Sequence, residues 1–200
     1  MSTFRPTVLA AVLAFGFVSV SLAQAKSKPA EKAKEGAKPA ASSGMAMKPA
    51  PEMEKIKWMA GTWHCAGKTM ASPMGPEHPV EAEVKAEMAL DGMWMRAQYR
   101  EKKTAQNPHP MSADDYWTYD PAEKMWDRVA VDNMGGFMTG SAKGWDQGKL
   151  VWDMDAMMGG QKMKFRDAFV QKSPTELTNS GEAGTPDGKW APAWDTSCKK

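Results

Sequence analysis

From Thr62 onward the chain alternates apolar and polar residues with period two, and this limits the possible folds more than any other feature. The cleanest run is Val80, Ala82, Val84, Ala86, Met88 and Leu90, interleaved with Glu81, Glu83, Lys85 and Glu87. Strand side chains point alternately to two faces, so such a run buries one face and solvates the other. The next run sets Met93, Met95, Ala97 and Tyr99 against Arg96 and Arg100. A later one sets Leu150, Trp152, Met154 and Ala156 against Asp153 and Asp155, and another aligns Met163, Phe165, Asp167 and Phe169. Turn residues cut the pattern into ten strands, at about 62–68, 80–90, 93–101, 114–119, 125–131, 137–145, 149–156, 162–172, 175–183 and 189–199. Asp91-Gly92 reads as a two-residue type I′ hairpin turn. No helical crossover intervenes, and short connections make sequential strands antiparallel neighbours. A long meander must hide its edges, and closing on itself does so. The expected fold is all-β, an antiparallel up-and-down closed barrel of about ten strands, wide enough to hold a cavity. The alternative is an open sandwich with two free thiols.

The first strand opens at Gly61-Thr62-Trp63 and carries Cys65 two residues on, in phase with Trp63. The only other cysteine is Cys198, at the other end of the folded part. In a small exported chain two cysteines read as one disulfide, here clipping the first strand to the last. The last strand puts Trp190, Trp194 and Cys198 in phase. Nine Trp require a sizeable core or a lined cavity. Met numbers 18, while after the leader the only Leu and Ile are Ile56, Leu90, Leu150 and Leu177, so Met takes the volume they usually fill.

Export is read from the N-terminus. Arg5 precedes an apolar run, Val8 to Leu22, too short to span a bilayer comfortably, and Ala23-Gln24-Ala25 has the form of a cleavage site. Residues 1–25 are thus expected to be a signal peptide, with no stable membrane span after cleavage and a periplasmic or secreted destination. Residues 26–51, rich in Lys, Ala and Pro, are expected to be a disordered linker, and residues 52–200 the barrel domain. Glu52 to Met59 fits a short helix or an extended lead-in, with Trp58 and Met59 plugging one end of the fold.

Gly61-Thr62-Trp63 at the start of the first strand resembles the Gly-x-Trp signature of the calycin barrels, which include lipocalins and fatty-acid-binding proteins. Four segments together, MAGTWHCAGK, ALDGMWMRAQYRE, YWTYDPAEKMWDRVAVDNMGG and GWDQGKLVW, resemble the bacterial domain-of-unknown-function family 1579 over about three quarters of the chain. The resemblance implies a lipocalin-like barrel and no established activity. Lipocalins stack a basic side chain over the motif Trp. The last strand here offers Lys189, Lys199 and Lys200, none in evident phase with Trp63. The related haem-carrying nitrobindins use a late His as iron ligand, whereas His64, His78 and His109 are all early. No cofactor is implied.

Three functional classes are compatible with these residues. A barrel lined by Trp63, Met88, Met95, Trp152, Met154, Phe165 and Trp194 suits a small hydrophobic molecule bound without catalysis; the plain alternative is a filled core. Asp127 and Asp167 fall on apolar strand faces, where burial would raise a carboxyl pKa and create a general base for an isomerase or cyclase; the plain alternative is pairing with an Arg such as Arg128 or Arg166. Met70, Met74, His78, His109 and Met111 lie on two loops that could share one barrel end, and thioether with imidazole suits Cu(I) in a methionine-rich periplasmic protein. Against copper, Met is spread through the strands rather than clustered, at Met88, Met93, Met95, Met125, Met138, Met154 and Met163. A net charge of +2 with no basic stripe argues against nucleic acid as a partner.

Overall fold

The computed structural model describes residues 47–72 and 75–200. The expected signal peptide, and the linker up to residue 46, lie outside the described residues. A 3-10 helix, Pro51–Met59, leads into ten strands: β1 (Gly61–Thr69), β2 (His78–Ala89), β3 (Trp94–Glu101), β4 (Ser112–Asp120), β5 (Met125–Asp132), β6 (Phe137–Ala142), β7 (Lys149–Met158), β8 (Gln161–Ser173), β9 (Glu176–Gly184) and β10 (Trp190–Lys199). Each strand pairs antiparallel with its chain neighbours, and β1 pairs with β10, closing the barrel. Closure puts Cys65 opposite Cys198, and the two are disulfide-bonded.

The helix follows from its spacing. Met53, Ile56 and Met59 recur every three residues, the period of a 3-10 helix, and all three are buried. Pro51 stands in the first turn, where its missing N–H costs nothing. The helix packs against β2, β3 and β4 and closes one end of the barrel. Trp58 stands edge-on to Trp63 and Trp145 there, at ring-centroid distances of 5.9 and 5.6 Å. Trp63 donates its indole N–H to the Met59 carbonyl, 2.7 Å away. Strand direction puts the β1–β2, β3–β4, β5–β6, β7–β8 and β9–β10 connections together at the opposite, far end.

Four sequence expectations are corrected. The β2–β3 turn spans Leu90 to Met93, not two residues; Leu90, Asp91 and Gly92 all have positive φ, and Leu90 is exposed rather than buried. The sixth strand stops at Ala142, because Gly144 at φ +129° turns the chain and carries Trp145 onto Trp58. On β10 a bulge between Pro192 and Trp194 breaks the alternation. Trp194 and Cys198 pack into the interior, but Trp190 packs under the exposed Arg166 guanidinium, 4.2 Å from its ring. Finally, Lys200 caps Trp63 after all. Its Nζ lies 4.8 Å from the ring centroid and donates to the carbonyls of Trp58 (2.6 Å) and Ala60 (2.8 Å). Strand phase does not govern Lys200, because it follows the last residue of β10.

Candidate functional site

The interior holds a polar network among the aromatic rings. Arg128 on β5 is buried, and it lies between two buried carboxylates, Asp115 on β4 and Asp167 on β8. Asp115 takes the guanidinium side-on: Nε donates to Oδ2 at 2.9 Å and Nη2 to the same oxygen at 2.6 Å. Trp117 Nε1 donates to Asp115 Oδ1 at 3.0 Å. Arg128 Nη1 donates to Asp167 Oδ2, and Asn179 Nδ2 donates to Asp167 Oδ1. Trp194 Nε1 then donates to Asn179 Oδ1 at 2.8 Å. An indole can only donate, so Trp194 fixes which way the Asn179 amide points. The rings of Trp117, Trp152 and Phe169 surround the guanidinium carbon at 5.4–5.6 Å. Three buried charges, two of them negative, therefore sit in a largely aromatic box. Burial pushes the Asp167 carboxyl up, against the opposing pull of Arg128 and Asn179.

Glycine makes room for the large inward side chains. A Cβ on Gly181 would lie 2.1 Å from the Trp194 ring, and one on Gly140 would lie 2.2 Å from the Met154 sulfur. Replacing Gly181 by Ala is expected to push the indole off Asn179 and to cost about 1–3 kcal/mol, the usual scale for overpacking. Thermal unfolding followed by Trp fluorescence checks this. An unchanged midpoint would show that Trp194 is not held there.

On β6, β7, β8 and β10 the inward side chains nearer the far end are less enclosed. Ala97 and Ala183 line the wall beside Met138, Met158, Met163 and Trp194. All six pack against the core yet remain only partly buried. A second polar group lies at that end. Tyr99 Oη donates to Glu101 Oε1 at 2.9 Å, and Asn107 Nδ2 and the Met111 N–H donate to Glu101 Oε2 at 2.8 Å each. Burial and the Glu101 carboxylate push the Tyr99 hydroxyl pKa far up. On the outer wall, a groove of about 680 Å³ is floored by Val151, Ala168 and Ser180 and edged by Lys149, Arg166 and Glu182, with no single charge sign.

A family model described as protein of unknown function (DUF1579) matches residues 48–200. The chain belongs to the DUF1579 family. Two solved structures share the barrel of this DUF1579 member. One is Rv2717c from M. tuberculosis, at 11% identity and TM-score 0.61, covering 76% of this chain and 99% of that one. The other is the S-type phycobiliprotein lyase CPES from Guillardia theta, at 10% identity and TM-score 0.52, covering 73% and 89%. At such identities the likeness is one of fold. No curated protein is similar to the chain in sequence.

Within this DUF1579 barrel, the seven residues expected to line the interior all pack into its cores. Met88, Met95, Trp152, Met154, Phe165 and Trp194 share the larger core, and Trp63 sits in a smaller one with Cys65, Val80, Ala82, Leu177 and Cys198. Asp167 is buried, as read from its strand, and pairs with Arg128 rather than Arg166. Asp127 is not inside. Burial on β5 alternates so that Trp126, Arg128 and Ala130 point inward, which turns Asp127 out alongside Val129 and Val131. Its carboxyl is pushed up, first by partial burial and then by Asp120.

The proposed copper ligands share the far end only by loop position. His109 is exposed, His78 Nδ1 lies 3.1 Å from the Pro76 carbonyl, and Met74 is outside the described residues. Among the described residues no group of three His, Cys, Asp or Glu could hold a metal ion. No helix among them is long and apolar enough to cross a membrane. Sequence reasoning missed Asp115 as an interior residue and named Arg128 only as one possible partner of Asp127 or Asp167. The available signal was Trp126-Asp127-Arg128, where the large indole takes the inward phase and brings Arg128 with it.

Proposed function

We propose that this DUF1579 barrel binds a small apolar molecule at its far end without catalysing a reaction. The observation that carries the reading is the ring of inward but half-buried side chains there. Met138, Met158, Met163 and Trp194 face the interior and still meet solvent. Flexible thioethers beside a fixed indole form a wall that adapts to apolar shapes. The Asp115–Arg128–Asp167 network forms a polar element among the rings. Asp167 is a poor general base, because both its oxygens already accept hydrogen bonds.

The reading includes export. Residues 1–25 serve as signal peptide, residues 26–51 as a tether, and the barrel works in the periplasm or outside the cell. The Cys65–Cys198 bond supports it, since such bonds persist in oxidising compartments.

Titration with the neutral apolar fluorophore N-phenyl-1-naphthylamine tests the binding claim. A saturable rise in probe emission with one probe per chain is expected, together with quenching of Trp emission. Met158→Glu and Met163→Glu, which put charge into that ring, should each weaken binding about tenfold or more. Probe binding that never saturates, or that ignores both substitutions, would remove the reading.

A further inference from the structure

The outward face of a barrel is normally polar, and β4 to β8 break that rule near the far end. Strand register lays two outward rows across them. One runs Asp114, Val131, Phe137, Met157, Lys162; the other runs Arg96, Tyr116, Val129, Thr139, Asp155, Lys164. The first row is apolar from Val131 through Phe137 to Met157, and the second adds Val129 between Tyr116 and Thr139. Val129 is 39% exposed, Val131 49% and Phe137 51%, and Met134 on the adjoining β5–β6 turn is 55% exposed.

The turn is braced. Asp132 Oδ1 accepts from the N–H groups of Met134 and Gly136, both at 2.8 Å, and Asp132 N–H donates to the Gly136 carbonyl at 3.1 Å. Met134 is thus held out toward solvent while the one acid of the turn is occupied by backbone donors.

Cations flank this patch on both sides. Arg96 and Arg100 share the Asp114 carboxylate at 2.6 Å each, with Glu87 a further 3.9 Å from Arg96. On the other flank stand Lys162 and Lys164, of which Lys164 pairs with Asp155 at 2.8 Å. The open apolar area is on the order of 300–400 Å², against roughly 800 Å² per partner in a stable protein interface. It is too small to hold a second copy of the chain, and it matches shallow insertion of a few side chains into a lipid interface.

We infer that this rim is a docking surface for an anionic lipid bilayer. Met134 and Phe137 enter the headgroup–acyl boundary, while Arg96, Arg100, Lys162 and Lys164 face the lipid phosphates. The inference does not depend on what the barrel interior binds.

Co-sedimentation with vesicles of phosphatidylcholine mixed with phosphatidylglycerol tests it. The wild-type protein is expected to pellet with mixed vesicles, less with phosphatidylcholine alone, and less again as salt rises. Met134→Ser combined with Phe137→Ser should lower the bound fraction about tenfold. Lys162→Gln combined with Arg100→Gln should abolish the preference for phosphatidylglycerol. All four side chains are solvent-facing, so far-UV circular dichroism and N-phenyl-1-naphthylamine binding should stay at wild-type values. That keeps this result distinct from any failure of the interior site. Absence of vesicle binding, or binding indifferent to the Met134/Phe137 pair, overturns the inference. So does a wild-type dimer in sedimentation equilibrium that the same pair dissolves, which would make the patch a contact between copies.

Discussion

Removing the Cys65–Cys198 bond is expected to cost about 4–5 kcal/mol in the chain-entropy model. The two cysteines are 133 residues apart, so the bond shortens the unfolded chain's freedom over nearly the whole folded part. It also sits where closure is made. β1 and β10 are the first and last strands, and six residue pairs from His64–Lys199 to Thr69–Trp194 hold the seam. Both sulfurs are buried in the smaller core with Trp63 and Leu177, so alanine is the suitable replacement. Urea unfolding of Cys65→Ala/Cys198→Ala, compared with wild type before and after reduction, measures the effect. The double variant and the reduced wild type should shift alike. A shift below about 1 kcal/mol would mean that strand pairing alone closes the seam.

Replacing Arg128 by Met is the second large expectation, about 3–5 kcal/mol. The guanidinium donates to both buried carboxylates, and without it Asp115 and Asp167 face each other uncompensated. The loss should depend on pH with a definite sign. Burial already holds the Asp167 carboxyl above its ordinary value, and removing Arg128 removes an opposing pull. An acid whose folded pKa exceeds its unfolded value binds more protons when folded. Stability is then fully present below the unfolded pKa and falls as pH rises toward the folded one. Arg128→Met should therefore be closest to wild type near pH 4 and furthest from it at neutral pH. Adding Asp115→Asn and Asp167→Asn removes the stranded charges while keeping an oxygen for Trp117 Nε1 and for Asn179 Nδ2. That triple variant should regain most of the loss. Urea titrations at several pH values measure both effects, and a pH-independent deficit would show that lost packing against Trp117, Trp152 and Phe169 dominates instead.

Much of this architecture is legible before any coordinates. On β7 every inward residue is apolar, and the outward ones are polar except Val151 and Met157, so a single phase satisfies the strand. From Val80 to Met88, β2 behaves the same way. β5 is different. Met125, Val129 and Val131 on one face are as apolar as Trp126 and Ala130 on the other, and both faces carry charge, Asp127 on the first and Arg128 with the terminal Asp132 on the second. Periodicity cannot choose between those faces. Arg128 can point inward because Asp115 and Asp167, on strands before and after it in the chain, meet it there. The outward face then becomes the exposed patch of Val129, Val131 and Phe137.

The bulge at Pro192 and the reach of Lys200 over Trp63 belong to the same class. Each depends on a partner, Gly181 across the strand pair or the carbonyls of Trp58 and Ala60 across the seam, that is distant in the chain. Alternation, turn residues and a lone pair of cysteines are local or countable, and they specified a closed antiparallel barrel stapled between its ends. Which face of an ambiguous strand lies inside, and which charges can be buried, is settled only on closure. A buried charge is tolerated where its counter-charge arrives, and that arrival is a property of the assembled wall.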